Sequence, residues 1–374
     1  MFKGFYLSLF IGPVVPEPAP QVVLDALKSV EVKSSAGEAS GFQLDFTLST
    51  RSPLHTFFLI AGGKTPLLRV IILVTINGMP QVLMDGVMTN CQVTTGNAGH
   101  SILSVTGEDL TKVMDLIDFS GIPYPAMPVE ARVATIIAKY AMFGMRPQVI
   151  PSLFSDIPIP AECIPMHKKT DLKYVQFLAK EAGYVFYIEP GPKPGTNVAY
   201  WGPEIKIGVP QPALNLDMDA HTNVDSLNFS FNTAETSLPV VYIQNKLTKA
   251  PIPIPIPAAA NPLQPPLGEI PAPITGVTKL KDTAKLSPMQ ALNRGLSEAS
   301  RSADAISARG NLNAARYGRL LKSRQLVGVR GAGMAFNGLY YVKSVTTSIK
   351  RGEIKQSFEL TRNGLVSTIP RVPV

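Results

Sequence analysis

Few residues in this 374-residue sequence are spaced for chemistry. His167 and Asp171 stand four apart, a separation at which two side chains on one helix face could hold a metal ion. Thr170 is a strong N-cap, however, which starts the helix after it and leaves His167 outside, at an expected surface position. His55, His100 and His221 have no carboxylate or cysteine at ligand spacing. Gly62-Gly63-Lys64-Thr65 ends like a phosphate loop, but that motif needs a glycine where Phe58 stands, and a helix where Pro66 and a strand follow. Cys91 and Cys163 form no CxxC, in keeping with a reduced, cytosolic site of synthesis. HExxH, GxSxG and Cys–His signatures are missing, and no acidic pair suggests glycosidic cleavage. The sequence nominates no catalytic residue, no metal ligand and no cofactor.

The strongest electrostatic feature lies in residues 281–330, where ten basic side chains face only Asp282, Glu298 and Asp304. Arg309, Arg316, Arg319, Lys322 and Arg324 are its densest part and the candidate assembly contacts. Three readings stand for this block: a solvated face, a dock for an acidic partner surface, or a nucleic-acid contact. Interleaved aromatic rings, which single-strand binding uses for stacking, are nearly missing, with Tyr317 alone.

The elements that must carry these residues read as β, α/β, β, Pro-rich loop, helix, β. Phe42, Leu44, Phe46 and Leu48 alternate with Gln43, Asp45 and Thr47, the period of a half-buried strand. Val70 to Ile76 is a β-branched run closed by Asn77-Gly78, a tight-turn signal. Strands also read at 81–95 and 101–106. Leu110, Val113, Met114 and Ile117 then fit a helix stripe, as do Val129, Val133, Ile136, Ile137 and Tyr140. A third helix starts after Thr170, with Asp171 in its first turn, and ends at Gly183. Strands resume around 227–231 and 240–243. Pro251 to Pro257 alternates proline with isoleucine and reads as a polyproline-like spacer without the donors for sheet or helix. From Ser287-Pro288 a long helix reads through Ile306, with a second stretch from Leu312 to Leu321 beyond Gly310. Strands at 339–349 and 354–362 close the chain.

Composition bounds the whole. Hydrophobic residues make up 45% and charged residues 17%, and the mean hydropathy is +0.15. Such a chain fills apolar cores, and at this length two or three domains are expected. Charge is scarcer than the roughly 25% of ordinary soluble domains, which points to surface hidden in an assembly. The opening Met1–Pro13 has too short an apolar run and no cleavage signal for a leader, and reads as a strand or docking arm. No stretch reaches the roughly 18–20 apolar residues of a membrane helix.

Two stretches carry a family resemblance. The run Lys168–Tyr187, KKTDLKYVQFLAKEAGYVFY, resembles the T-D-L-x-F-L-x-x-L-A-x-E-x-G-Y-x-F-Y segment of the phage late control D and baseplate hub family, with one turn shortened before Ala179. The tail Phe336–Val345, FNGLYYVKSV, followed by Arg351–Gly364, RGEIKQSFELTRNG, resembles that family's closing hairpin. The family includes the T-even phage hub and the N-terminal part of type VI secretion spike proteins. The resemblance implies an α+β fold: two tail-tube-like antiparallel β-barrels with an inserted small α/β domain and a long helix. The expected divisions are 1–107, first barrel with an N-terminal arm; 108–200, inserted domain; 201–247, strands returning to the barrels; 248–280, Pro-rich extended loop; and 281–374, basic helix plus second barrel. Gly338, Tyr340, Tyr341 and Gly352 would belong to the barrel framework.

The implied function is structural: a homotrimeric hub of a contractile-tail baseplate, in a virion or injection particle assembled in the host cytoplasm, joining a six-fold tail tube to a three-fold spike. Expected partners are the tail tube protein, a separate spike trimer, tape measure and baseplate wedge proteins, with nucleic acid only as passing cargo. Many relatives run on into a spike or lysozyme domain, whereas this sequence stops at Val374, so the spike would be another chain. The N-terminal arm and the 251–273 loop match no family feature. A tail-associated peptidoglycan hydrolase and a nucleic-acid-binding protein using the basic block are the alternatives from other classes.

Overall fold

The computed structural model describes residues 4–48, 58, 67–95, 101–152, 164–233, 236–244, 250–257, 263–281, 283 and 288–369. The Gly62–Thr65 motif, His55, His100, Cys163 and Lys285 lie outside them. The fold is α+β, mostly strands in one large sheet that is antiparallel except for one pair.

The N-terminal strands are β1 (Phe5–Gly12), the two-residue β2 (Glu17–Pro18), β3 (Leu27–Ser35), β4 (Gly41–Leu48), β5 (Arg69–Ile76), β6 (Met79–Thr95) and β7 (Ser101–Asp109), with α1 (Gln21–Ala26) before β3. The opening segment is thus a strand of the sheet: β1 pairs along its whole length with β5. Asn77 and Gly78, both at positive φ, make the tight turn between β5 and β6 that the sequence signalled.

An α/β section follows: α2 (Thr111–Met114), α3 (Val129–Ala138), β8 (Met145–Val149), α4 (Asp171–Ala182), β9 (Val185–Pro190) and β10 (Asn197–Gly202). The helix expected over Leu110–Ile117 is a single turn. Asp109 accepts hydrogen bonds from the Thr111 backbone and hydroxyl and opens the turn, and beyond Asp115 the chain straightens as Asp118 bridges Thr170. Leu110, Val113 and Met114 are buried, while Ile117 is 60% exposed. In α4 the Thr170 hydroxyl accepts from the Lys173 N–H, and Gly183 ends the helix in the left-handed region, as the sequence predicted.

The rest of the large sheet is β11 (Gln211–Asn215), β12 (Val224–Phe231), β17 (Ile306–Asn313), β18 (Leu326–Arg330), β19 (Gly338–Lys350) and β20 (Glu353–Arg362). Between them β13 (Ser237–Gln244), β14 (Pro251–Pro255) and β16 (Gly276–Lys279) form a small separate sheet, and β15 (Gly268–Pro271) pairs with β21 (Gly364–Ser367). The Pro-rich run is therefore not a free spacer. Its prolines alternate with Ile252 and Ile254, which keep the N–H groups an edge strand needs to pair with β13.

The long basic helix is also corrected. The helix α5 (Pro288–Ser302) ends before Ile306, and residues 306–313 are β17, lodged between β12 and β20. Gly310 sits in mid-strand because a Cβ there would stand 2.5 Å from the Ser226 carbonyl oxygen and 2.7 Å from the Phe358 ring. Leu312 continues that strand, and only the one-turn α6 (Ala314–Tyr317) is helical after it. One more turn, α7 (Gly333–Phe336), precedes β19.

The sheet has a seam. Strand β19 runs beside β3, from Ser344 opposite Ser35 to Lys350 opposite Ser29. Six strands lie on its N-terminal side, β1 and β3–β7, and six on its C-terminal side, β11, β12 and β17–β20, with the short β2 as the thirteenth. One apolar core takes side chains from both sides, including Leu9, Leu44, Phe46, Ile72, Tyr340 and Phe358. A second core gathers Leu110, Ile136, Val175, Leu178 and Trp201 from the α/β section.

A buried ion pair fastens the two cores. The Arg69 guanidinium donates to both Asp85 oxygens at 2.7 Å, with the two side chains 3% and 0% exposed. Arg69 also donates to the carbonyls of Val14 and Phe143, and Asn197 Nδ2 donates to Asp85 at 2.8 Å. Phe143 and Asn197 belong to the α/β section, so its attachment to β5 and β6 runs through this polar knot. Replacing Asp85 by Ala strands a buried cation and is expected to destabilise the fold by about 3–5 kcal/mol. The double variant Arg69→Met/Asp85→Leu should recover most of that loss; denaturant unfolding midpoints check both.

Candidate functional site

Of the five nominated basic residues, four face solvent and one turns inward. Arg309, in mid-β17, lies opposite Glu359 on β20 with Nη2 3.2 Å from the carboxylate, and its side chain is 78% exposed. Arg316, in α6, reaches Asp225 at 2.9 Å. Arg319 and Lys322 follow in the loop toward β18; both are exposed, and neither forms an ion pair among the described residues. The Lys322 backbone is held at both its N–H and its carbonyl by the Gln211 side chain.

Arg324 belongs to the interior framework. Its backbone is at φ +63°, an unusual value for a residue with a Cβ. The guanidinium lies 4.2 Å from the Tyr187 ring centroid and donates to the Ser35 carbonyl. One side chain thus joins β3, β9 and the loop before β18. The basic block as a whole is divided among helix, strand and loop, so it presents no single charged face along a helix.

The closing hairpin positions the four framework candidates. Gly352, at φ +77°, makes the turn between β19 and β20 and is exposed. Gly338, at φ +134°, starts β19, and a Cβ there would meet Arg362 Nη1 at 2.8 Å. Tyr340 is fully buried, donates to the Phe336 carbonyl at 2.8 Å, and carries the Arg362 guanidinium 4.7 Å above its ring. Tyr341 is buried beside Glu204 and Lys206, and burial together with the Glu204 charge pushes its hydroxyl far above the usual phenol range.

Arg362 is the organiser that the sequence reading passed over, although it sits inside the quoted R-N-G motif. It is completely buried and donates to the carbonyls of Gly364, Asn337 and Ala335. Those three carbonyls and the Tyr340 ring replace the water its charge has lost, and burial draws its pKa down.

His167 also departs from expectation. It is 1% exposed, with Nε2 2.8 Å from Asp171 Oδ1, and it packs against the rings of Tyr174, Tyr124 and Phe119. Asp171 additionally accepts from Lys139 Nζ and the Tyr140 hydroxyl at 2.8 Å. This cluster locks α3 and the 118–124 segment onto α4. Among the described residues no group of three or more His, Cys, Asp or Glu side chains could hold a metal ion, and no helix is long and apolar enough to cross a membrane.

The described residues thus form a heavily braced sheet with exposed cations on its surface. The fold is that of phage tail proteins and a related secretion component. A tail protein from Neisseria meningitidis MC58 superposes with a TM-score of 0.62 at 14% identity, over 97% of this chain and 98% of the other. The 43 kDa tail protein of prophage MuSo2 from Shewanella oneidensis gives 0.60 at 16%, over 96% and 98%. The Escherichia coli c3393 protein, a type VI secretion component with structural similarity to T4 bacteriophage tail proteins, gives 0.51 at 12%, over 93% and 76%. A chain of the Francisella PdpA–VgrG complex matches at 0.58 and 8%, over 99% of this chain and 54% of its own length. No protein-family model and no curated protein matches the sequence.

The hairpin sorts structural residues from surface ones. Tyr340→Phe leaves the Phe336 carbonyl without its donor and is expected to cost about 1–2 kcal/mol. Gly338→Ala should destabilise by more than Tyr340→Phe, because strain and collision add. Arg309→Ala and Arg316→Ala break exposed pairs and should cost at most about 1 kcal/mol each. Thermal melts of the four variants test the order.

Proposed function

We propose that this chain is the structural hub of a contractile-tail baseplate, a non-enzymatic trimeric adaptor between a six-fold tail tube and a three-fold spike. The observation that carries the reading is the fold shared with tail proteins from β1 to β21, across nearly the full length of both chains. The sheet supports it further. Six strands on each side of the β3–β19 seam supply two comparable sets per chain. Three copies would then present six sets, which matches three-fold to six-fold symmetry without a second gene product.

In this reading residues 1–107 build the first tube-like barrel, 108–200 the inserted domain, and 201–247 return to the barrels. Residues 248–280 project as the Pro-rich excursion, here an edge strand and its connections, and 281–374 complete the second barrel. In this reading a separate spike trimer is the three-fold partner; a chain of this fold also occurs in the PdpA–VgrG complexes. Tail tube, tape measure and wedge proteins are the remaining partners, and the genome passes as cargo. The place of action is the baseplate of a virion or injection particle, assembled in the host cytoplasm. Arg309, Arg316, Arg319 and Lys322 serve as contacts with neighbouring subunits, whereas Arg324, Gly338, Tyr340, Tyr341 and Gly352 keep the framework.

Absolute mass by light scattering, alone and with the candidate spike chain, tests the proposal. A mass near three times 40.2 kDa in either sample is expected. A stable dimer or tetramer in both samples would overturn it.

A further inference from the structure

Arg319 and Lys322 stand on the rim of a groove of about 550 Å³, within the roughly 300–1,000 Å³ of ligand-binding clefts. Four separate parts of the chain wall it: the β5–β6 turn, the β9–β10 connection, the approach to β11, and the loop from α6 toward β18. Cross-links hold these walls together. Asn77 donates to the Gly318 carbonyl, Tyr317 donates to the Pro212 carbonyl at 2.6 Å, and Gln211 grips the Lys322 backbone. A groove braced in this way loses little freedom when it is filled.

Its chemistry is one-sided. Five of the lining residues are prolines, which bring rigid apolar rings and no N–H donors. Val209 and Met79, also in the lining, are 93% and 55% exposed. The only charged side chains among the described lining residues are the two cations, and neither has an ion-pair partner. Glu189 lies in a smaller adjoining recess of about 60 Å³ that shares Pro190 and Lys322. Exposed apolar side chains and proline rings beside two cations without ion-pair partners are complementary to an extended chain that carries carboxylates beside an apolar anchor.

We infer that this groove is a docking site for an extended acidic segment of a partner protein, with an apolar side chain placed over Val209 and Met79 and carboxylates paired with Arg319 and Lys322. The inference deepens the assembly reading by giving two of its contact residues a ligand chemistry. Its test needs no trimer, so the two can fail separately.

The probe is a fluorescein-labelled octapeptide of alternating Glu and Leu, followed by fluorescence anisotropy at low salt. A Gln–Leu twin and a labelled oligothymidine serve as comparisons. The Glu–Leu peptide is expected to bind, to weaken as salt rises, and to exceed its Gln–Leu twin by about tenfold or more. Arg319→Glu/Lys322→Glu should weaken it at least about tenfold with an unchanged unfolding midpoint, and Val209→Asp should weaken it with the charges intact. Lys28→Glu/Lys350→Glu reverses equal charge at another groove and should leave binding as it was. Equal binding by parent and Arg319→Glu/Lys322→Glu would overturn the proposal, as would loss confined to Lys28→Glu/Lys350→Glu. Preference for oligothymidine would assign the groove to nucleic acid. Self-association abolished by Arg319→Glu/Lys322→Glu, with no peptide binding, would assign it to a second copy of the chain.

Discussion

Seven residue pairs between β3 and β19 join segments more than 300 positions apart in the chain. Closing so long a loop has an entropic cost that grows only slowly with length, and the apolar core on both sides of the seam offsets it. Val30, Val32, Val345 and Ile349 bring buried faces to the seam itself. Once β3 and β19 are paired, the two strand sets become one sheet and share one core. The other long-range features presuppose that pairing: Arg324 can reach the Ser35 carbonyl, and Asn77 can meet Gly318, only when the chain's two ends lie side by side.

Buried charge does the remaining joining. Arg69 with Asp85 ties the α/β section to the sheet, Arg362 among three carbonyls braces the closing hairpin, and Asp171 between His167, Lys139 and Tyr140 braces the α/β section itself. Apolar packing alone would tolerate several relative placements of the α/β section on the sheet. A bidentate ion pair that must also satisfy Asn197 tolerates few, because a misplaced buried charge is left unpaired. Rigid placement of this kind is in keeping with the proposed role as a hub.

Surface features fit the same economy. The four exposed candidate contacts divide into two matched within the chain, Arg309 and Arg316, and two without an ion pair among the described residues, Arg319 and Lys322. The unmatched pair borders a proline-walled groove. Exposed charge without an internal partner retains its field for another molecule.

Much of this was legible in the residues. Alternation in 42–48, the Asn77-Gly78 turn, the Thr170 and Gly183 caps and the closing hairpin follow from local stereochemistry, so their sequence signals were unambiguous. Motif order across the chain also pointed to the tail-protein fold at identities where residue matching otherwise fades. Misreadings occurred where tertiary pairing overrode local pattern. Residues 306–313 carry the helix-compatible Ala308, Arg309 and Leu312 but lie between two strands that need a partner. The prolines of 251–255 leave alternate N–H groups free, which serves at a sheet edge and nowhere else. His167 read as a surface residue because nothing in sequence announces that Phe119, Tyr124 and Tyr174 will enclose it. The sequence by itself determined turns, caps and strand periods, all set within a few residues. Only the tertiary structure decided which charges are buried, which are matched and which remain free, because those depend on segments brought together from opposite ends of the chain.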